Sequence, residues 1–315
     1  MEDRVPANDF PHKVGWIGTG RMGAALANRL LDAGVDLWVY NRTRSKTDPL
    51  VAKGATAVDS PADLAERDIV FMMVGGPADV IQVTLGENGV LSRPDARPKI
   101  LIDSTTIDPT TSDKLRDEAA NLGTEILAVP VSGNPKVVKS GQLTAAASGP
   151  RAAYDEALPY LEQFGRKVTY VGGSDEARLV KICHNLHLGV VTQSLAEIVL
   201  LAEAAGISRE DTMEFINDSV MGSTFSQYKT PALVNLDYKP TFTWHLLKKD
   251  FDLGLALGND VGVPLPTAHL VSQIVADGIG RGFGDEDFAS LLSRLAEGAG
   301  MQIESEDADV TTGLE

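Results

Sequence analysis

Residues 14–46, VGWIGTGRMGAALANRLLDAGVDLWVYNRTRSK, decide how this chain is read. Val14–Ile17 is a short apolar run of strand type. Gly18, Gly20 and Gly23 follow in a G-x-G-x-x-G pattern, and Met22–Leu31 carries apolar residues at helical spacing until Gly34 stops it. In that setting each glycine has a task. Gly18 allows the tight turn, Gly20 lets a phosphate approach the backbone, and Gly23 lets the helix lie on the strand. The helix start offers N–H groups and a positive dipole end to a pyrophosphate. Gly18, Thr19, Gly20, Arg21, Met22 and Gly23 are therefore expected to hold one. A glycine-rich turn that binds nothing is the plainer alternative.

Val35–Tyr40 reads as the second strand. A site for NAD usually ends that strand with Asp or Glu, which accepts hydrogen bonds from the ribose. Here Asn41-Arg42-Thr43 stands in that place, with Arg44 and Lys46 beyond. A carboxylate would repel a 2′-phosphate, whereas a neutral amide beside a guanidinium fork receives one. The expected cofactor is NADP(H) in preference to NAD(H). A solvated basic turn is the alternative.

The chain has 315 residues, enough for one or two domains with a substantial core. Its formal charge of −16 argues against a nucleic-acid surface and means that any anion site is locally basic. The single cysteine, Cys183, allows no internal disulfide and fits a reducing cytoplasm. The polar start, Met1–Lys13, shows no signal peptide. The most apolar stretch, His187–Ala205, contains Gln193, Ser194, Glu197 and Glu203, so it reads as a helix buried between domains or subunits of a homodimer or homotetramer, with no membrane span.

Beyond the second strand, strand and helix patterns alternate up to Lys167–Val171, which argues for a mostly parallel sheet with helices on both faces. After Gly172-Gly173-Ser174 only helical patterns follow, from a long one over Glu176–Ala205 to Phe288–Gly298. The expected fold is an α/β N-terminal domain with a Rossmann-type doubly wound sheet over residues 1–173. An all-α domain follows over 174–303, and then an acidic, disordered tail over 304–315.

Lys181 and Asn185 lie four apart on the long helix, so both project from one face, about 6 Å apart along its axis. Apolar neighbours would partly desolvate the lysine and bring its pKa toward the range where it exchanges protons. From spacing alone, a surface lysine with its stem along the helix is the stronger reading. Val129-Pro130-Val131-Ser132-Gly133-Asn134 and Asp103-Ser104-Thr105-Thr106-Ile107-Asp108-Pro109 each follow a strand, and so should lie at the ligand-binding edge of the sheet. Lys248-Lys249-Asp250-Phe251 sits early in a late helical stretch. His184 and His187 are three apart, but no Cys or carboxylate cluster completes a metal site.

Taken in order, GWIGTGRMG, DSTTIDP, PVSGN, KICHN and LLKKDFDLGLA resemble the β-hydroxyacid dehydrogenase family, which includes 3-hydroxyisobutyrate dehydrogenase, tartronate semialdehyde reductase and, more distantly, 6-phosphogluconate dehydrogenase. The resemblance covers residues 13–300. It implies reversible hydride transfer between a nicotinamide and a small anionic hydroxyacid or its semialdehyde, between the two domains. It also implies roles for particular residues. Lys181 is the general acid or base and Asn185 orients it. Ser132 and Gly133 bind the substrate carboxylate. Thr105 and Thr106 lie by the nicotinamide ribose, Met73 and Val74 line the adenosine side, and Lys249 reaches the cofactor. Two positions depart from the pattern. Asn134 stands where many members have Gly, so it should narrow or re-polarise the substrate loop. His184 stands where the smaller dehydrogenases usually have Asn, and is read as lining the substrate pocket. The rival readings are a non-catalytic NADP(H)-binding regulatory or assembly protein on the same fold, and an imine reductase-like relative, against which Lys181 argues.

Overall fold

The computed structural model describes residues 10–314; of the polar start, Met1–Asp9 lies outside the described residues, as does Glu315. The chain divides into two compact units, Met1–Lys181 and Ile182–Glu315.

The first unit alternates strand and helix: β1 (Val14–Ile17), α1 (Arg21–Asp32), β2 (Leu37–Tyr40), α2 (Asp48–Val51), β3 (Thr56–Ala57), β4 (Ile69–Met72), α3 (Pro77–Leu85), β5 (Ile100–Asp103), α4 (Pro109–Leu122), β6 (Glu125–Ala128), β7 (Val131–Ser132), α5 (Pro135–Lys139), β8 (Thr144–Ser148), α6 (Arg151–Leu161) and β9 (Lys167–Gly172). The described strands form one sheet in the order β3-β2-β1-β4-β5-β6-β8-β7, with β9 also paired to β8. The first six in this order run parallel, and β8 turns antiparallel to β6 and β7. β1, β4 and β5 are buried along their whole length, as strands covered on both faces must be. Trp16 stacks on Phe71 at 5.5 Å and meets Phe164 edge-on at 6.0 Å, filling one face. α1 buries Gly23, Leu26, Ala27 and Leu30, a helical stripe. The strand order reverses between β1 and β4, so a crevice opens beyond their carboxyl ends, where ligands bind in sheets of this kind.

The strands end at Gly172, but the division in packing falls at Lys181. The first turn of α7 (Glu176–Ala204) is bonded to the first unit, and the helix then runs on into the second. There it is followed by α8 (Arg209–Asp218), α9 (Thr224–Val234), α10 (Trp244–Asp260), α11 (Pro266–Gly280) and α12 (Leu291–Gly298). Ala196, Val199 and Leu200 of α7 join Trp244, Leu247, Phe251, Val275 and Leu292 in the helical core. Two glycines set the approach of α7 to α10: a β-carbon on Gly189 would lie 2.5 Å from Phe251, and one on Gly254 would lie 2.6 Å from Leu186. Among the described residues, α7 is the one helix long and apolar enough to cross a membrane by length and composition, yet Thr192 and Gln193 are buried on it.

The acidic segment expected to be disordered is docked on the second unit. Met301, Ile303, Ala308 and Val310 pack against the helical core. Glu306 accepts from the backbone N–H groups of Arg209 and Glu210, and Asn235 exchanges two hydrogen bonds with Ala308. One carboxylate of the segment, Glu306, lies 3.9 Å from Nε of the buried Arg209, and the Glu304 carbonyl accepts from its Nη2, so the segment supplies that guanidinium with partners.

Candidate active site

The nucleotide turn is built as its glycines require. Gly18 takes φ +93°, and a β-carbon there would lie 2.2 Å from the Met73 carbonyl oxygen. A β-carbon at Gly23 would lie 2.0 Å from the Gly18 carbonyl oxygen. That oxygen accepts from Trp16 Nε1 at 2.8 Å, so it cannot move aside. Gly20 is the exception: nothing lies within 4 Å of its absent side chain, and it caps α1 with no side-chain hydrogen bond. An open surface thus leads to the first turn of α1, beside exposed Arg21 and half-buried Met22. This is the geometry that admits a pyrophosphate onto helix N–H groups, so the residues present fit a dinucleotide.

At the end of β2, Asn41 braces the turn. Its Oδ1 accepts from Thr19 N at 2.9 Å and its Nδ2 donates to Thr43 O at 2.9 Å. The buried Thr19 hydroxyl donates to Lys46 O at 3.0 Å. Arg42 projects outward, with 83% of its side chain exposed, and its Nη1 lies 2.8 Å from Asp79 Oδ1 on the first turn of α3. Arg44 pairs with Asp59. Both guanidinium groups stand at the rim of the turn, each beside a carboxylate that an incoming phosphate would have to share or displace.

Three more segments emerge at the carboxyl edge of the sheet. Met73 and Val74 follow β4. Thr105 and Thr106 follow β5, and the Thr105 hydroxyl accepts from Val74 N at 3.1 Å, joining the two turns. Ser132 closes β7, and Gly133 takes φ +141°, where a β-carbon would collide with Val137 at 2.8 Å. Asn134, the position that departs from the family pattern, has a local structural role in this loop. Its Oδ1 caps α5, accepting from Lys136 N at 2.9 Å and Val137 N at 3.2 Å, and the residue is buried. With Pro135 in the first turn of that helix, the oxygen is spent within its own loop.

Lys181, half-buried, closes the first unit on α7. One turn on, in the second unit, Asn185 is 3% exposed and donates through Nδ2 to Asp250 Oδ2 at 2.5 Å. Asp250, also 3% exposed, has its other oxygen 3.4 Å from the ammonium of Lys249, which is exposed on α10. His184 Nδ1 lies 2.9 Å from Asn185 Oδ1, so the half-buried histidine engages the asparagine. Among the described residues no group of His, Cys, Asp and Glu could hold a metal ion.

Two residues in these networks have no role assigned by the sequence, although Asp250 lies within the LLKKDFDLGLA stretch. Asp250 holds Asn185 from another helix. Arg178, one turn before Lys181, pairs with Asp103 at 2.7 Å with both side chains buried. Each contact joins residues 65 or more positions apart, beyond the reach of any spacing rule.

Comparisons with known proteins give two family matches. Residues 13–172 match the model described as the NAD binding domain of 6-phosphogluconate dehydrogenase. Residues 176–295 match that described as NAD-binding of NADP-dependent 3-hydroxyisobutyrate dehydrogenase. The chain is 30% identical to glyoxylate/succinic semialdehyde reductase 2, chloroplastic, of Arabidopsis thaliana, over 90% of this chain and 79% of the relative. It is 30% identical to 2-(hydroxymethyl)glutarate dehydrogenase of Eubacterium barkeri, over 92% of this chain and 97% of the relative. The crystal structure of 3-hydroxyisobutyrate dehydrogenase from Salmonella typhimurium superposes with a TM-score of 0.79 at 27% identity, covering 89% of this chain and 98% of that one.

Proposed function

The chain belongs to the β-hydroxyacid dehydrogenase family, and on that premise we propose that it reduces the semialdehyde of a small carboxylic acid with NADPH, reversibly, using Lys181 as general acid. It is an oxidoreductase acting on CH–OH donors, with an NAD(P)-binding domain. The observation that carries the finer reading is the row of side chains on α7. Lys181 stands one turn from an asparagine that is itself immobilised by a buried carboxylate.

Bound nicotinamide dinucleotide supplies the hydride, or takes it in the reverse direction. The chain's own residues do the rest. Lys181, as an ammonium, gives its proton to the carbonyl oxygen as that oxygen gains charge, and stabilises the charge meanwhile. Asn185, locked by Asp250, orients lysine and substrate. Ser132 and the Gly133 backbone receive the substrate carboxylate, and the φ of +141° at Gly133 shapes that loop. Arg42 gives the preference for the 2′-phosphate. The apolar side chains Ile198 and Leu201, 50% and 66% exposed on α7, are taken as a self-association surface, and light scattering that reports a monomer would remove that part.

The test is anaerobic mixing of the full chain with NADPH and a panel of aldehyde acids (glyoxylate, succinic semialdehyde, tartronate semialdehyde and methylmalonate semialdehyde). Oxidation of NADPH is expected with at least one. Lys181→Ala should lower turnover by about 10²–10⁴ while leaving NADPH binding in place. NADPH binding with no oxidation by any aldehyde would favour a non-catalytic binding protein.

A further inference from the structure

The reaction as described needs Lys181 in register with the cofactor-facing turn after β5, and the fold contains a device that sets this register. Arg178 is 4% exposed and spends its guanidinium on four acceptors. Nη1 donates to Thr105 O at 2.7 Å and Nη2 to Asp103 Oδ2 at 2.7 Å. Nε is shared between Ser112 Oγ at 3.1 Å and Asp175 Oδ1 at 3.0 Å. The second oxygen of Asp103 accepts from Thr105 N at 2.8 Å. Thr105 is therefore held at its N–H by Asp103, at its carbonyl by Arg178 and at its hydroxyl by Val74 N. Lys181 leaves the same helix three residues after Arg178, about 4.5 Å further along the axis.

We propose that Arg178 is a positioning residue of the reaction, its guanidinium fork fixing the Asp103–Thr105 turn and the Lys181 turn of α7 to one another. The inference rests on the reading of Lys181 given above. Bulk stability does not demand this arrangement, because a buried ion pair is commonly replaced by well-packed apolar side chains at no loss. Geometry does demand it: a planar fork with donors on three nitrogens reaches acceptors on the β5 turn, on α4 and at the start of α7 together. A lysine, a single point of charge, reaches only some of them.

The experiment compares Arg178→Lys, Arg178→Ala, Ser112→Ala and Lys181→Ala with wild type in the full chain, using NADPH and the aldehyde of the panel that turns over fastest. Arg178→Lys keeps a cation for Asp103 but loses the fork. It should lower kcat by about 10–100-fold, the scale for misplacing a reacting group by an ångström, while KM for the aldehyde and NADPH affinity stay as in wild type. The pH profile of kcat should shift with it. Ser112→Ala, the milder change, should show a smaller fall of the same kind. In Arg178→Ala, millimolar guanidinium ion should restore part of kcat. An unchanged kcat in Arg178→Lys overturns the proposal. So does a fall in kcat matched by lost NADPH affinity with the pH profile in place. An active Lys181→Ala, or a wild-type chain that turns over no member of the panel, sinks the functional reading itself. An inactive Lys181→Ala beside fully active Arg178→Lys sinks only the role of Arg178.

Discussion

Alanine at Gly20 and alanine at Gly23, three residues apart in one turn, should separate ligand binding from folding. At Gly23 the new carbon would lie 2.0 Å from the Gly18 carbonyl oxygen and 3.2 Å from Trp16 Nε1, and those two groups are hydrogen-bonded to each other. α1 must then lift from the sheet. Overpacking of this kind costs about 1–3 kcal/mol. For a unit of this size each kcal/mol is worth about 2–4 °C in Tm, so the expected fall is about 2–12 °C. At Gly20 the same carbon meets no protein atom within 4 Å, and φ is −66°, which alanine adopts freely. The fold should survive at a cost of about 1 kcal/mol or less for an N-cap change. The carbon does, however, occupy the approach to the helix N–H groups. Losing one charged hydrogen bond there costs about 1.5–3 kcal/mol, roughly 10–150-fold in NADPH affinity. Thermal melts with and without NADPH, together with fluorescence titration, read both quantities. Wild-type affinity in Gly20→Ala would place the pyrophosphate elsewhere. A Gly20→Ala protein as unstable as Gly23→Ala would refute the steric argument.

Arg42→Ala should weaken NADPH and spare NADH. The full range for a charged hydrogen bond is about 1.5–3 kcal/mol, and the low end is expected because Arg42 is exposed and Asp79 already shares it; equal losses for both cofactors would argue against a phosphate contact. Lys229→Met should cost about 3–5 kcal/mol in urea unfolding, because it strands the buried Asp287 carboxylate with only the neutral donors of Thr241, Phe242 and Ala289. Burial pushes that carboxyl up, but the charge and hydrogen bond of Lys229 and the bonds from Thr241 and Ala289 outweigh it and hold it below the usual range. Its stabilising effect is therefore complete above about pH 4 and drains away as pH falls through the lowered value. The deficit of Lys229→Met should accordingly be widest near neutrality and narrow on acidification; a deficit that widens toward pH 4 would contradict the assignment.

The parts legible in the sequence are those whose causes are local. The nucleotide turn announces itself because three glycines, a preceding apolar run and a following helical stripe all sit within twenty residues. α4 does so through Asp108, Pro109 and Gly123, which cap, start and stop it. The helix α9 gave no such signal. Its Ser226, Lys229, Thr230, Ala232 and Val234 are buried on several sides, and Pro231 interrupts the pattern, so no apolar face stands out. The capping role of Asn134 was legible in principle, since Asn followed by Pro is a helix-start signal, but the family pattern drew the residue toward the substrate. Asp103–Arg178 and Asn185–Asp250 were not legible, because each depends on the finished topology to bring distant side chains together.

The docking of residues 304–306 on Arg209 has a consequence for synthesis. Arg209 lies fully inside the helical unit, and only Glu203 and Val234 among its partners lie near it in sequence. The Glu304 carbonyl and the Glu306 carboxylate come 95 and 97 residues later. At typical elongation rates, about 5–20 residues per second, a nascent chain waits roughly 5–20 s with that guanidinium incompletely satisfied. The helices can gather earlier, but this buried guanidinium gains its full set of partners only once residues 304–306 have followed, so removing them would leave a buried charge short of acceptors.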